Sequence, residues 1–197
     1  FVGSAFEQPV GNAEITGLAI PKLLESIRII NPNMKYYQAS TSEMFGNSTV
    51  SSQNENTPFT PSSPYAAAKL AGELYCQAFA NSYDLETVRI RYFNVFGPRQ
   101  DPNSPYSAVI PLFASALLEG RRPMIYGDGT QSRDFTYVDN VVQANILASQ
   151  ADAEKVSGNV YNVACGSSLN LIFLLKFIFD QLDKPYDPDF QPRRTGD

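Results

Sequence analysis

Residues 61–69 read PSSPYAAAK, and the reading of this stretch decides the fold. A proline directly behind a serine marks a helix start, because its fixed φ suits the first turn. Helical signals then run from Pro64 to about Tyr83. Upstream, KYYQAS at 35–40 is a short strand candidate, followed by small polar residues. Downstream, ETVRIRYFNVFG at 86–97 is a second strand, stopped by Gly97-Pro98. Between the first strand and the helix, residues 47–63 are rich in Ser, Asn, Thr and Pro and read as a surface loop. Earlier still, AEITGLAIPKLLESIRIINPN at 13–33 has helical spacing, with Pro21 expected to kink or shorten it. The order helix, strand, loop, helix, strand predicts a parallel sheet with crossover helices.

The second half changes character. PYSAVIPLFASALLEG at 105–120 is helical and stops at Gly120. RPMIYGDG at 122–129 is a strand entering a tight turn, and RDFTYV at 133–138 is another strand. DNVVQANILASQ at 139–150 predicts a helix with Asp139 as its N-cap. GNVYNVACG at 158–166 reads as a strand. SLNLIFLLKFIFDQL at 168–182 reads as a final helix, capped by Ser167 or Ser168. No internal repeat or low-complexity tract stands out.

Composition narrows the chemistry. The chain has 197 residues, 43% hydrophobic and 18% charged, enough apolar content for a real core. A net charge of −5 argues against a nucleic-acid surface. No run reaches the ~18 apolar residues of a membrane span, and LNLIFLLKFIF at 169–179 is broken by Lys176. There is no histidine, so a Ser-His-Asp or Cys-His centre and an imidazole-bound metal are excluded within these residues. Proton transfer must use Tyr, Lys, Asp or Glu. Cys76 and Cys165 lack metal-ligand spacing and read as free thiols of a reducing, cytoplasmic setting. The chain starts at Phe1 in what looks like a loop, so it is expected to be an internal piece of a longer protein.

Tyr65 and Lys69 stand four apart and share one helical face. A free phenol has pKa ~10, and a nearby ammonium is expected to lower it towards use as a base. A pair with this spacing is also common by chance. Upstream, the strand runs into TSEMFG at 41–46, at the strand end where open α/β sheets place ligands. Thr41 and Glu43 alternate with Ser42 and are expected to point the same way from an extended segment. Thr41 can donate to a substrate oxygen, and Glu43 can hold or take a proton. Equally, Thr41-Ser42-Glu43 reads as a capping device.

Five segments in order, QASTSEMFG, SPYAAAK, RYFNVFGPRQ, GDGTQSRDFTYVDNVV and GNVYNVACG, resemble the extended short-chain dehydrogenase/reductase family that modifies nucleotide sugars. The first half resembles GDP-mannose 4,6-dehydratases and the second UDP-hexose 4-epimerases. The resemblance implies a Rossmann-type parallel α/β sheet lacking its N-terminal βαβ unit, with a smaller α/β substrate domain. On that basis residues 1–97 are the C-terminal part of the dinucleotide-binding domain. Residues 98–197 are mainly the sugar-nucleotide domain, with some segments returning to the sheet.

The resemblance also implies roles. Tyr65 is the acid/base, and Lys69 is its partner and a ligand of the nicotinamide ribose of NAD or NADP. Thr41 hydrogen-bonds the sugar 4-hydroxyl, and Phe93 packs near the cofactor. Hydride leaves C4 to give a 4-keto sugar. Glu43 matches the carboxylate that takes the C5 proton in dehydratases, while Ser42 stands where some dehydratases carry an acid. Dehydration is therefore expected slightly ahead of 4-epimerisation, with a non-catalytic sugar-nucleotide-binding protein as a further alternative. Asn94, Arg133, Arg193 and Arg194 are the implied substrate contacts. A guanidinium suits a diphosphate through paired, charge-assisted bonds. Each arginine can also be a solvated surface charge, and Asn94 a strand-end turn residue. The Gly-rich phosphate turn of the family is not among these residues; GSAFEQPVG at 3–11 does not supply it. The family pattern implies a homodimer or higher homo-oligomer, with the helices at 12–31 and 64–83 as candidate contact surfaces.

Overall fold

The structure, a computed structural model, describes residues 2–48, 50, 52–104 and 108–193. The described helices are α1 (Val2–Glu7), α2 (Pro9–Asn12), α3 (Ala19–Ile30), α4 (Pro64–Tyr83), α5 (Val109–Leu118), α6 (Val138–Gln150), α7 (Ala153–Val156) and α8 (Leu171–Gln181). The described strands are β1 (Tyr36–Thr41), β2 (Thr87–Tyr92), β3 (Asn94–Phe96), β4 (Met124–Tyr126), β5 (Ser132–Arg133), β6 (Phe135–Tyr137), β7 (Val160–Val163), β8 (Leu169–Asn170) and β9 (Asp189–Gln191). A π-helical turn, Ala13–Leu18, joins α2 to α3. A 3-10 turn, Ser42–Phe45, follows β1.

The residues fall into two compact units, 1–93 with 139–163 and 94–138 with 164–197, where the sequence reading drew its line after residue 97. In the first unit, β1, β2 and β7 form a parallel sheet in the order β1-β2-β7. Thr41 pairs with Tyr92, and Tyr92 with Val163, so the three strands end level. Helix α4 is the crossover from β1 to β2, as its Ser-Pro start predicts. Ser63 caps it by accepting a hydrogen bond from the Ala66 N–H at 3.1 Å. Val88 and Ile90 face a core with Val156. Cys76 of α4 packs with Leu24, Ile27 and Leu85. Both cysteines are free, and burial pushes the Cys76 thiol up to about 12.

In the second unit, β3 pairs parallel with β6, β4 parallel with β9, and β5 antiparallel with β8. Its core is Phe113 and Leu117 of α5, Ile125 of β4, and Leu175 and Phe179 of α8.

Four local expectations are corrected. Pro21 does not end the helix: helical backbone runs on through it from the π turn Ala13–Leu18 into α3, and the irregularity is that turn, just ahead of the proline. ETVRIRYFNVFG is two strands: the chain leaves the sheet after Tyr92, and Asn94–Phe96 pairs in the second unit. Helix α6 starts at Val138, which puts Asp139 inside its first turn rather than at the cap. Helix α8 is capped by Asn170, whose Oδ1 accepts from the Phe173 N–H at 2.8 Å. Ser167 and Ser168 precede β8 and cannot reach that position. Among the described residues no helix is long and apolar enough to cross a membrane, and no cluster of His, Cys, Asp and Glu could hold a metal ion.

Candidate active site

The level ends of β1 and β2, the 3-10 turn after β1 and the first turns of α4 bring four of the named residues together. Thr41 is buried at the end of β1, and its Oγ1 accepts the Glu43 N–H at 3.2 Å, capping the turn. The Tyr65 phenol lies close enough to that hydroxyl for Thr41 to pull the phenol's pKa down. The capping reading is borne out, and it leaves the Thr41 O–H free to donate as well, since a hydroxyl accepts and donates at once. Glu43 does not lie on an extended segment, because the strand stops at Thr41 and the turn takes over. The turn leaves Glu43 exposed but close enough for its charge to act on Tyr65.

Lys69 lies one helical turn beyond Tyr65. Its Nζ sits 5.8 Å from the centre of the Tyr65 ring and donates to the Ala39 carbonyl at 2.9 Å. This overturns the expected direction of the phenol's pKa. Burial raises Tyr65 above its ordinary value, the Thr41 hydroxyl pulls it back, and Glu43 raises it again. The Lys69 ammonium is engaged with a backbone carbonyl, and burial lowers its own pKa. Tyr65 is thus a proton donor as it stands, and any base form must be drawn out by what binds beside it.

Phe93 sits just past β2, its N–H bonded to the Val163 carbonyl at 3.2 Å. Its ring lies 6.3 Å from that of Phe45. The donors at these strand ends fit the ribose end of a nicotinamide dinucleotide. Two Lys69 N–H groups remain for ribose hydroxyls beyond the one on Ala39. No residues here form the Gly-rich turn for its diphosphate.

The second unit holds the other group of named residues. Asn94 and Arg133 line a cavity of about 690 Å³, the size of a small-molecule site. Asn94 Nδ2 donates to the Asp134 carbonyl at 3.3 Å, which fixes the amide at the cavity wall. Arg133 donates to the Ser132 carbonyl at 3.0 Å. Arg193 is exposed and lies beside Gly127 and Asp128, at the turn after β4. Arg194 lies outside the described residues. The sequence reading missed Arg121 and Arg122, which line the same cavity. Their adjacency to the β4 strand was the available signal. It also missed Asp134, whose carboxylate accepts the backbone N–H groups of Cys165, Gly166 and Ser167 at 2.9, 2.7 and 3.2 Å and so fixes the loop after β7.

A tyrosine, a lysine and a threonine held at parallel strand ends, in chain order with these motifs, agree with a sequence match over residues 1–164 to the family model "NAD dependent epimerase/dehydratase family". The chain belongs to that family. Among its relatives, the UDP-glucose 4-epimerase of Mycolicibacterium smegmatis is 34% identical over 196 residues, all of this chain and 61% of that protein. The human dTDP-D-glucose 4,6-dehydratase is 33% identical over 142 residues, 72% of this chain and 39% of that protein. A solved structure of the UDP-N-acetylglucosamine 4-epimerase of Methanobrevibacter ruminantium, in complex with UDP-N-acetylmuramic acid, superposes with a TM-score of 0.92 at 42% identity. That likeness covers all of this chain and 62% of the other. The chain thus spans about three fifths of the length of these epimerase relatives, and within the family it is similar to epimerases and dehydratases alike.

Proposed function

We propose that the protein is an NAD-dependent enzyme acting at C4 of a nucleotide-linked hexose, with 4-epimerisation of a UDP-hexose as its reaction. The observation that carries this is the placement of Tyr65 beside Thr41 at the sheet's strand ends, with Lys69 alongside. A nicotinamide held beside Tyr65 would supply a reversible hydride acceptor for C4, so that the sugar passes through its 4-ketone. Tyr65 takes the 4-hydroxyl proton as that hydride leaves and gives it back afterwards. Thr41 holds the phenol oxygen in place and, by donating to it, favours the phenolate. Lys69 positions the ribose through its remaining N–H groups. In the second unit, Asn94 and Arg133 face the cavity that would take the nucleotide end, with Arg133 on the diphosphate.

The observation favouring epimerisation over 4,6-dehydration is the residue beside Glu43. Loss of the C6 hydroxyl needs a base at C5 and an acid at the leaving oxygen. The turn 42–45 has one carboxylate, Glu43, and a serine before it. Glu43 itself favours the dehydratase reading, which stays as the second one, and the GDP-mannose type was the form expected from the first half of the sequence. The distinguishing experiment supplies NAD with UDP-glucose, UDP-N-acetylglucosamine or GDP-mannose and follows the sugar by NMR, in the wild type and in Glu43→Gln. An epimerase gives the C4 epimer with both proteins. A product that has lost its C6 hydroxyl, abolished by Glu43→Gln, establishes dehydration instead.

A homo-oligomer fits the same picture. The π turn and α3 pack on α4 through small residues: a Cβ on Gly17 would lie 3.4 Å from the Ala68 carbonyl oxygen. Ile15, Leu23, Leu74 and Tyr75 nevertheless stay exposed on these helices. We assign that apolar surface to a second copy of the chain.

A further inference from the structure

Helix α4 faces the sheet with a stripe of polar side chains where apolar ones are the rule. Tyr65, Lys69, Glu73 and Gln77 recur every four residues and so form one ridge slanting across the helix. Lys69 donates to the Ala39 carbonyl, Glu73 accepts from Arg91, and Gln77 accepts from Arg89 at 3.2 Å. Four helical residues rise about 6 Å and two strand residues about 6.6 Å, so the Glu73–Arg91 and Gln77–Arg89 rungs keep step, while Lys69 reaches across to β1.

The middle rung is the strongest. Arg91 and Glu73 have side-chain exposures of 2% and 1%. Arg91 Nε donates to Glu73 Oε1 at 2.9 Å and Nη2 to Oε2 at 2.7 Å, a two-pronged pair. Its Nη1 donates to the Glu55 carbonyl at 3.2 Å, in the loop between the 3-10 turn and α4. The guanidinium carbon lies 5.3 Å from the ring centre of Phe45, the last residue of the turn that carries Glu43, and 4.8 Å from that of Phe59. Phe45 is held in turn by Thr60, whose hydroxyl donates to its carbonyl at 2.6 Å. One guanidinium thus touches β2, the helix bearing Tyr65 and Lys69, and the turn bearing Glu43.

Stability does not explain such a pair. Taking both charges out of water offsets most of their attraction, and apolar replacements of similar volume are often neutral or better. What the pair has that apolar contacts lack is one allowed geometry. Leucine against leucine tolerates a slide along the helix axis; a two-pronged carboxylate does not.

We propose that Arg91 is a positioning residue for the proton-transfer site: through Glu73 it sets the axial height of α4, through Phe45 and Glu55 it sets the turn after β1, and so it fixes Tyr65 against Thr41. This rests on the reading of Tyr65 given above. It accounts for a basic residue, Arg91, on the buried strand β2 next to the site.

The test uses the full chain with NAD and sugar nucleotide, and compares wild type, Arg91→Met/Glu73→Leu, Arg91→Lys and Tyr65→Phe. The double variant removes both charges together and keeps apolar volume, so its melting temperature stays within a few degrees of wild type. Its kcat falls about 10- to 100-fold, the scale of a small misplacement at a reacting centre, while KM for the sugar nucleotide changes less than about threefold. With Thr41 no longer held on the phenol, the limb of the kcat–pH profile that reports Tyr65 moves to higher pH. A folded double variant with wild-type kcat overturns the proposal, and so does a fall in kcat with the limb unmoved, which is general loosening only. If the double variant does not fold, Arg91→Lys decides by the same two outcomes, since lysine keeps the charge but cannot make the paired bond or reach Glu55. Wild-type turnover by Tyr65→Phe would instead overturn the underlying functional reading, and this inference with it. Loss of turnover in Tyr65→Phe beside an unaffected Arg91 variant sinks this inference alone.

Discussion

The arginines of the two units do opposite work. Arg91 of the first unit is buried, paired on two prongs and surrounded by aromatic rings. Arg121 and Arg122 of the second unit are 59% and 57% exposed, each beside a carboxylate that is itself exposed. A guanidinium that has surrendered all its water makes one structure and resists change. One that keeps its water can turn to a ligand. The lesson is that the first unit holds its arginine in one fixed geometry, while the arginines at the second unit's cavity stay free to turn to a ligand.

The sharpest way to break this contrast is to remove Glu73 alone. Glu73→Ala strands Arg91 as an uncompensated buried charge, and denaturant unfolding should show a loss of about 3–5 kcal/mol. A loss under about 1 kcal/mol, the range of exposed pairs, would erase the distinction between the two regions. Next in size, Arg133→Ala at the cavity should leave stability unchanged and raise KM for the sugar nucleotide about tenfold, the loss of roughly 1.4 kcal/mol of binding, with kcat nearly constant. A collapse of kcat at unchanged KM would place Arg133 with the chemistry instead. The smallest effect is electrostatic. Glu43 raises the Tyr65 pKa, so Glu43→Gln removes a negative charge from beside a group that becomes negative and must lower it. The Tyr65 limb of the pH–rate profile should move to lower pH, opposite in sign to the Arg91 variants. A shift to higher pH would mean Glu43 does not face the phenol.

Much of this arrangement was legible in the residues. The Ser-Pro start fixed the beginning of α4, and the strands on either side of it gave the parallel pair β1-β2. Tyr65, Lys69, Thr41 and Glu43 were named by spacing and position, and the fold brings them to one end of one sheet. What stayed hidden depended on pairing between distant residues. Three polar residues before α8 can each cap a helix; Asn170 does so because Arg133 and Leu169 pair across β5 and β8 and consume the residues ahead of it. The strand ETVRIRY carries two basic residues, Arg89 and Arg91, whose partners are not visible from the strand itself. Glu73, 18 residues upstream, takes Arg91, and Gln77 with the Gly158 carbonyl takes Arg89. The direction of the Tyr65 pKa was misjudged because burial, its largest cause, is set by the fold and not by the neighbouring residues in sequence. A neighbouring ammonium was visible in the sequence, but the Ala39 carbonyl that engages it was not.

The claim on which the rest depends is that the Tyr65 phenol exchanges the proton of a sugar hydroxyl. The direct measurement is kcat for Tyr65→Phe with NAD and a UDP-hexose, alongside the melting temperature. The account predicts a fall of about 10²- to 10⁴-fold, the usual contribution of a positioned acid or base, with melting nearly unchanged because only an oxygen is removed. Turnover within about twofold of wild type by a folded Tyr65→Phe protein would contradict it.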